Sequence, residues 1–367
     1  MKPSNKKENI KMSIEKITFG KTKETDEVLE YLLKRNGVTL GILNYGATIH
    51  KCLVETSKGV RDVIGGYDTV KEYEDNDGYQ GALIGRVGNR ICRGKFSIDG
   101  VDYTLAINNG ENSLHGGLKG FDKYIWTVTE NSEADCDKLI MTITSPHMDQ
   151  GYPGKLKVTV TYTLNDDKSF SIGYEAESDR KTVLNLTNHS YFNLTGFEEL
   201  NVLDHKLKLY CSNFTPVDHT LIPTGEIRPV KGTAFDFTEE KTVGRDIEAK
   251  DLQLEYAGGY DHNYVIDRTQ EVSYRNTTLF KTAALTSPDD VLSLEVATDQ
   301  PGVQVYCGNF LHDDIVFKGS KPQRRRSAIC LETQHYPDTP NHPQFPSAYL
   351  DKGERFKTTT LFKFTSR

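Results

Sequence analysis

Leu156-Lys157-Val158-Thr159-Val160-Thr161-Tyr162-Thr163-Leu164 alternates one apolar residue with one polar residue at every step. Successive side chains of a strand point to opposite faces, so this stretch reads as a strand with one dry and one wet face. The polar turn Asn165-Asp166-Asp167-Lys168 follows, and Phe170, Ile172, Tyr174 and Ala176 then resume the alternation, which describes an antiparallel hairpin. A second hairpin is written around Asp99-Gly100, a dipeptide suited to the positive φ angles of a type I′ turn, between Phe96-Ser97-Ile98 and Val101-Asp102-Tyr103-Thr104-Leu105. No long stretch keeps an i, i+3, i+4, i+7 apolar stripe, and the β-formers are plentiful, with 19 Tyr and 16 Phe. The expected fold is all-β: a large antiparallel β-sandwich with few short helices, because so many strands must curl or split into two packed layers.

The chain has 367 residues, which at about 150 residues per domain suggests two domains. No Pro/Gly/Ser-rich linker, composition break or short repeat divides it after about residue 16, so a single domain is expected over 16–367. Residues 1–15 are polar and Lys-rich without apolar period and read as a flexible lead. The 45 Lys+Arg against 52 Asp+Glu leave a net charge of -7, which offers no broad attraction to phosphate backbones or anionic lipid. Neither nucleic acid nor a membrane is an expected partner. No run approaches the roughly 18 apolar residues of a membrane span, and the start has no apolar signal core, so a cytoplasmic protein is expected. The six cysteines, Cys52, Cys92, Cys136, Cys211, Cys307 and Cys330, lack C-x-x-C spacing and read as reduced. The sequence leaves the oligomeric state open between a monomer and a weak homodimer.

Phosphate-loop, dinucleotide-fingerprint, H-E-x-x-H and G-x-S-x-G patterns are all missing. His335 and His342 stand in a Pro-rich stretch without further ligands at zinc spacing, so neither metal nor cofactor is expected.

Four segments read as parts of a site. Gly85-Arg86-Val87-Gly88-Asn89-Arg90 brings two guanidinium groups and an amide together, donors suited to hydroxyl or carboxylate ligands, although structural salt bridges use the same residues. Residues 108–122 form a long polar loop in which Leu114, Leu118 and Phe121 are expected anchors, and His115 beside Gly116-Gly117 has a backbone free to approach a ligand. Read as a strand, 183–194 sends Leu184, Leu186, Phe192 and Leu194 to one face and Asn185, Thr187, His189 and Tyr191 to the other, a plausible wall for a polyhydroxyl ligand. Glu332 ends an apolar strand-like run, and Pro337, Pro340, Pro343 and Pro346 then predict a stiff polyproline-like loop.

GRVGNRICRGKF (85–96), NNGENSLHGG (108–117), NLTNHSYFNL (185–194), GGYDHNYVI (258–266), DQPGVQVYCGNFL (299–311) and CLETQHYPDTPNHPQFPS (330–347) together resemble the aldose 1-epimerase, or galactose mutarotase, family. The resemblance implies a cofactor-independent isomerase with a β-supersandwich fold that interconverts α and β anomers of free aldoses such as galactose and glucose. It implies that His189 is the general acid and Glu332 the general base. Asn89, Arg90, His115, Tyr191, Asp261 and Gln304 match the family's sugar-binding positions. Ring opening removes the proton from O1 and protonates the ring oxygen, so one acid and one base suffice. Glu332 is expected to be ionised at neutral pH, with Glu332 and Asp261 keeping His189 protonated. The pair is expected to face one another across a bound sugar. Competing readings are a non-catalytic sugar-binding protein, which needs no acid and base, a hexose-6-phosphate 1-epimerase, which needs extra basic residues, and a glycosidase using Asp261 and Glu332 as paired carboxylates.

Overall fold

The computed structural model describes residues 14–133 and 135–367. Most of the lysine-rich lead lies outside the described residues, and its last residue, Glu15, is the first of strand Glu15–Lys21. The five strands between residues 15 and 62 form one antiparallel meander in sequence order. A ten-stranded sheet follows, built around Leu156–Asn165, Ser169–Ser178 and the C-terminal strand Arg355–Ser366. The third large sheet has six strands, ordered Tyr191–Phe192, Ile329–Gln334, Gly302–Tyr306, Asp261–Val265, Asn213–Phe214 and Arg228–Pro229. The α-helices, Val70–Asp75 and Leu252–Ala257, are one to two turns long, in keeping with the all-β expectation.

The alternation of 156–164 is realised as read: Leu156, Val158, Val160, Tyr162 and Leu164 are fully buried, and Leu164 pairs with Phe170 across the predicted hairpin. Asp99 and Gly100 have φ of 50° and 81°, the two left-handed residues of a type I′ turn, and Ile98 pairs with Val101. The dry face of the ten-stranded sheet packs against the dry face of the six-stranded sheet, Val303, Val305, Ile329 and Leu331, in one continuous core. The Phe192 and Phe362 rings, 5.7 Å apart, join the two layers directly. Among the described residues no helix is long and apolar enough to cross a membrane, and all six cysteines are free.

Candidate active site

The six-stranded sheet differs from an ordinary sandwich layer on its second face. Register pairs Asn263 with Gln304 and Gln304 with Glu332, and one step along it pairs Asp261 with Tyr306, Tyr306 with Cys330, and Cys330 with Tyr191. Because every second side chain shares a face, these two rows look the same way, opposite to Val303, Val305 and Leu331. Strands Gly302–Tyr306 and Ile329–Gln334 are buried along their whole length, so the polar rows are buried as well. A buried polar face requires partners, and here it floors a cavity of about 340 Å³.

The walls come from two further segments. Leu114 pairs with Arg90, the His115 N–H donates to the Asn89 carbonyl (3.1 Å), and the Asn89 N–H donates to His115 Nδ1 (3.2 Å). With Nδ1 accepting, the neutral His115 ring carries its hydrogen on Nε2, a fixed donor for a ligand oxygen. Asn108 stitches this loop by donating to the Leu114 and Gly117 carbonyls and accepting from the Leu114 N–H. Gly116 sits at φ 87°, and a Cβ there would lie 2.0 Å from the Gly85 carbonyl oxygen, so the close approach of the two segments demands glycine. The Arg90 guanidinium donates through Nε to Asn109 Oδ1 (3.0 Å). His189 is clipped to the chain opposite by two backbone bonds, His189 N–H to the Ala82 carbonyl and Gly81 N–H to the His189 carbonyl, each 2.9 Å.

The result is convergence. Asn89, Arg90, His115, His189, Tyr191, Asp261 and Glu332 all line the cavity. His189 Nε2 stands 3.8 Å from Glu332 Oε1. Gln304 lies on the same face between the strands of Asp261 and Glu332, and its Nε2 donates to Asp261 Oδ1 at 2.7 Å, so it braces a lining residue.

Residues 30–363 match the family model described as aldose 1-epimerase. The chain belongs to the aldose 1-epimerase family. A galactose mutarotase of Sus scrofa is 42% identical over 339 residues, 92% of this chain and 94% of that protein. An aldose 1-epimerase of Escherichia coli K12 is 35% identical over 332 residues, 89% of this chain and 92% of that protein. The crystal structure of a galactose 1-epimerase from Lactobacillus acidophilus NCFM superposes with a TM-score of 0.83 at 26% identity, covering 97% of this chain and 99% of that one. Membership of this family agrees with a histidine and a glutamate side by side on the cavity floor.

Against the epimerase reading of the sequence, the structure makes several corrections. His189 and Glu332 stand side by side, too close for a sugar ring to lie between them. That arrangement suits the chemistry, since O1 and the ring oxygen are bonded to the same carbon and two neighbouring groups can serve both. Burial also works against the expected ionisation in the free cleft. Burial lowers the His189 pKa to about 4, with its own backbone carbonyl opposing in part, while burial and then Asp261 push Glu332 well above the usual carboxylate range against the pull of Arg90. Burial, then His189 and Arg90, likewise hold His115 neutral. Burial thus disfavours the charged form of both members of the pair in the free cleft.

Arg86 does not join the site: its guanidinium is buried and donates to the carbonyls of Pro153 (2.8 Å) and Gly154 (3.0 Å) and to Ser145 Oγ (2.5 Å). The 183–194 stretch is not one strand. Thr182–Val183, Thr187–Asn188 and Tyr191–Phe192 pair with three different partners, and Asn185 and Asn188 are absorbed by backbone groups of His335 and Gly81. Leu118 is 72% exposed and anchors nothing, whereas Phe121 is buried. The proline-rich loop is folded, not polyproline-like: Asp338 is left-handed at φ 56°, Thr339–Asn341 is a 3₁₀ turn, and Asp338 clips the Arg90 carbonyl and the Cys92 N–H.

Sequence reasoning missed Tyr79, Asn109 and Tyr306 as lining residues. Tyr306 was readable from the alternation of Gly302-Val303-Gln304-Val305-Tyr306, which puts it on the Gln304 face. Tyr79 carried no such signal; it is left-handed at φ 54° and stacks edge-on to His115 at 4.6 Å. One donor atom from each of His115, His189 and Glu332 lies within 4.8 Å of the others, a set able to approach a metal ion. The Asn89 bond to His115 Nδ1 favours a hydrogen on the cavity-facing nitrogen, which suits a hydroxyl oxygen better than a cation.

Proposed function

We propose that this protein interconverts the α and β anomers of free aldoses, galactose and glucose among them, by opening and reclosing the pyranose ring. The observation that carries this reading is the His189–Glu332 pair, 3.8 Å apart on the cavity floor. Sugar hydroxyls filling the cleft can donate to the Glu332 carboxylate and accept from the His189 imidazolium, which favours the charged form of the pair. Glu332 then takes the O1 proton while His189 Nε2 gives its proton to the ring oxygen. The C1–O5 bond breaks and C1=O1 forms. After rotation about C1–C2, His189 removes the proton from O5 as O5 attacks the other face of the aldehyde, and Glu332 returns a proton to O1.

Arg90, His115 and Asn89 offer donors to sugar oxygens, Asp261 accepts from hydroxyls, and Gln304 holds Asp261 in place. Tyr191 packs its ring 4.9 Å from that of His189 and limits its motion. A purely sugar-binding protein would have no use for an acid beside a base. A 6-phosphate substrate is disfavoured by the lining, where Arg90 faces three carboxylates, Asp77, Asp261 and Glu332, and no lysine. Six free cysteines support a reducing, cytoplasmic setting.

Polarimetry of freshly dissolved α-galactose, corrected for spontaneous mutarotation, tests the reading. Acceleration in proportion to protein is expected; no acceleration would leave only the sugar-binding reading. Glucose 6-phosphate in the same assay should react far more slowly than glucose.

A further inference from the structure

Cys330 is a residue the reaction above does not use, and its place in the sheet is specific. It lies two residues before Glu332 on the same strand and so on the same face, between Tyr191 and Tyr306 in the register. It is fully buried, and its Sγ stands 3.5 Å from Nδ1 of His189, within the range of a hydrogen bond to sulfur. The other ring nitrogen, Nε2, is the one that faces Glu332. Rings of Tyr191, His115, Tyr79 and Tyr306 surround the imidazole with centroids 4.9, 5.3, 6.0 and 6.1 Å away. They confine its plane, but a plane is not an orientation: a half-turn about Cβ–Cγ would put carbon where Nε2 must stand.

We propose that Cys330 is a positioning residue for the epimerase reaction, its sulfur holding Nδ1 of His189 so that Nε2 is presented to Glu332 and the sugar ring oxygen. This inference rests on the acid role given to His189 above. Sulfur is a weak acceptor and a weak donor, so it can meet Nδ1 with or without a hydrogen. A carboxylate at the same place would orient the ring but also hold it as imidazolium, and a group that gives its proton on ring opening and takes one back on reclosure is better served by the softer partner. Burial, with Glu332 adding to it, pushes the thiol well above its ordinary pKa, so it stays a neutral S–H group through the cycle.

Two variants separate positioning from packing. Cys330→Val keeps most of the volume and removes the partner; Cys330→Ser keeps a donor and acceptor on a shorter bond. Cys330→Val should lower kcat about tenfold or more while KM for galactose stays within about twofold and the unfolding midpoint is kept, and Cys330→Ser should recover part of the loss. Parental kcat in Cys330→Val would overturn the proposal, as would a fall in kcat accompanied in both variants by a raised KM and a lowered midpoint. ¹⁵N NMR of the histidine rings, with His189 assigned from its loss in His189→Asn, gives a readout independent of turnover: the Nδ1 resonance should move in Cys330→Val, and an unmoved resonance would overturn the contact. If the parent protein does not accelerate mutarotation at all, the functional reading falls, while the Nδ1 resonance still decides the role of Cys330.

Discussion

The ten-stranded and six-stranded sheets obey the same alternation and put their second faces to different uses. In Leu156–Asn165 the residues opposite the core, from Lys157 to Thr161, face water or are half-buried, and their polar atoms need no internal partner. In Gly302–Tyr306 and Ile329–Gln334 the opposite face is buried too, yet it carries Gln304, Glu332 and Gln334. The consequence is visible in the orphaned buried atoms. Asn263, Gln304, Glu332 and Gln334 all hold side-chain oxygens or nitrogens without a partner, whereas the described strands of the ten-stranded sheet contribute only Asp137 Oδ1. One layer leaves almost none of its buried polar atoms unpaired, and the other leaves several open, Glu332 Oε2 at the cavity among them.

If that division is right, damage to the two layers should separate cleanly. On the site layer, His189→Asn should lose about 10²–10⁴ in kcat, the usual weight of a placed acid or base, with little change in the unfolding midpoint. Calorimetry beside polarimetry checks this, and a variant with near-parental turnover would remove His189 from its role. On the structural layer, Leu164→Ala should cost about 2–5 kcal/mol in denaturant unfolding, because Leu164 is fully buried in the core. Its kcat per folded molecule should stay parental; a selective loss of turnover would show the layers to be coupled.

Acid should act through the buried histidines. Burial depresses the pKa of His115 well below its ordinary value, of His189 and His335 to about 4, and of His262 to about 3. His205, next to strand Lys206–Leu209 of the ten-stranded sheet, is likewise lowered to about 4 by burial. Below about pH 6.5 the unfolded chain binds protons that the folded histidines refuse, so this stability is complete above pH 6.5 and is lost as pH falls toward 4. The slope is at most about 1.4 kcal/mol per pH unit for each such histidine. The thermal midpoint should therefore fall between pH 6.5 and pH 4.5, and a flat midpoint over that range would contradict the assignment of neutral buried rings.

The smallest expected effect belongs to Gln304. Gln304→Leu removes the donor to Asp261 and should raise the galactose KM about tenfold, roughly 1.4 kcal/mol, with a smaller change in kcat. An unchanged KM would mean that Asp261 needs no support from Gln304.

Much of this was legible in the sequence where residue type alone sets the outcome. Period-two alternation fixes a strand's faces, so 156–164 and 96–105 were read correctly, and the six blocks led to His189, Glu332 and the cavity wall. The failures share a cause, since burial and partner choice are set by the whole fold. Glu332 was assigned its solution ionisation and His189 a charge held by its anionic neighbours, whereas burial in the cleft works against both charges. Arg86 and Arg90 are alike in sequence, yet one is taken up by the carbonyls of 153–154 and the other by the site. The 183–194 stretch alternates like a strand but meets three partner strands, so its asparagines serve as backbone brackets. The four prolines suggested an extended loop, while the left-handed Asp338 bends it back onto Arg90.

The central claim, that buried polar capacity on one sheet face is used for acid–base ring opening, is tested most directly in Glu332→Gln by measuring α-galactose mutarotation and equilibrium galactose binding on the same preparation. The account predicts that turnover falls by about 10²–10⁴ while galactose affinity stays within a few-fold, and that the unfolding midpoint at neutral pH is kept because Gln preserves the size and shape of the buried side chain. A variant that binds galactose and still accelerates mutarotation near the parental rate would contradict it.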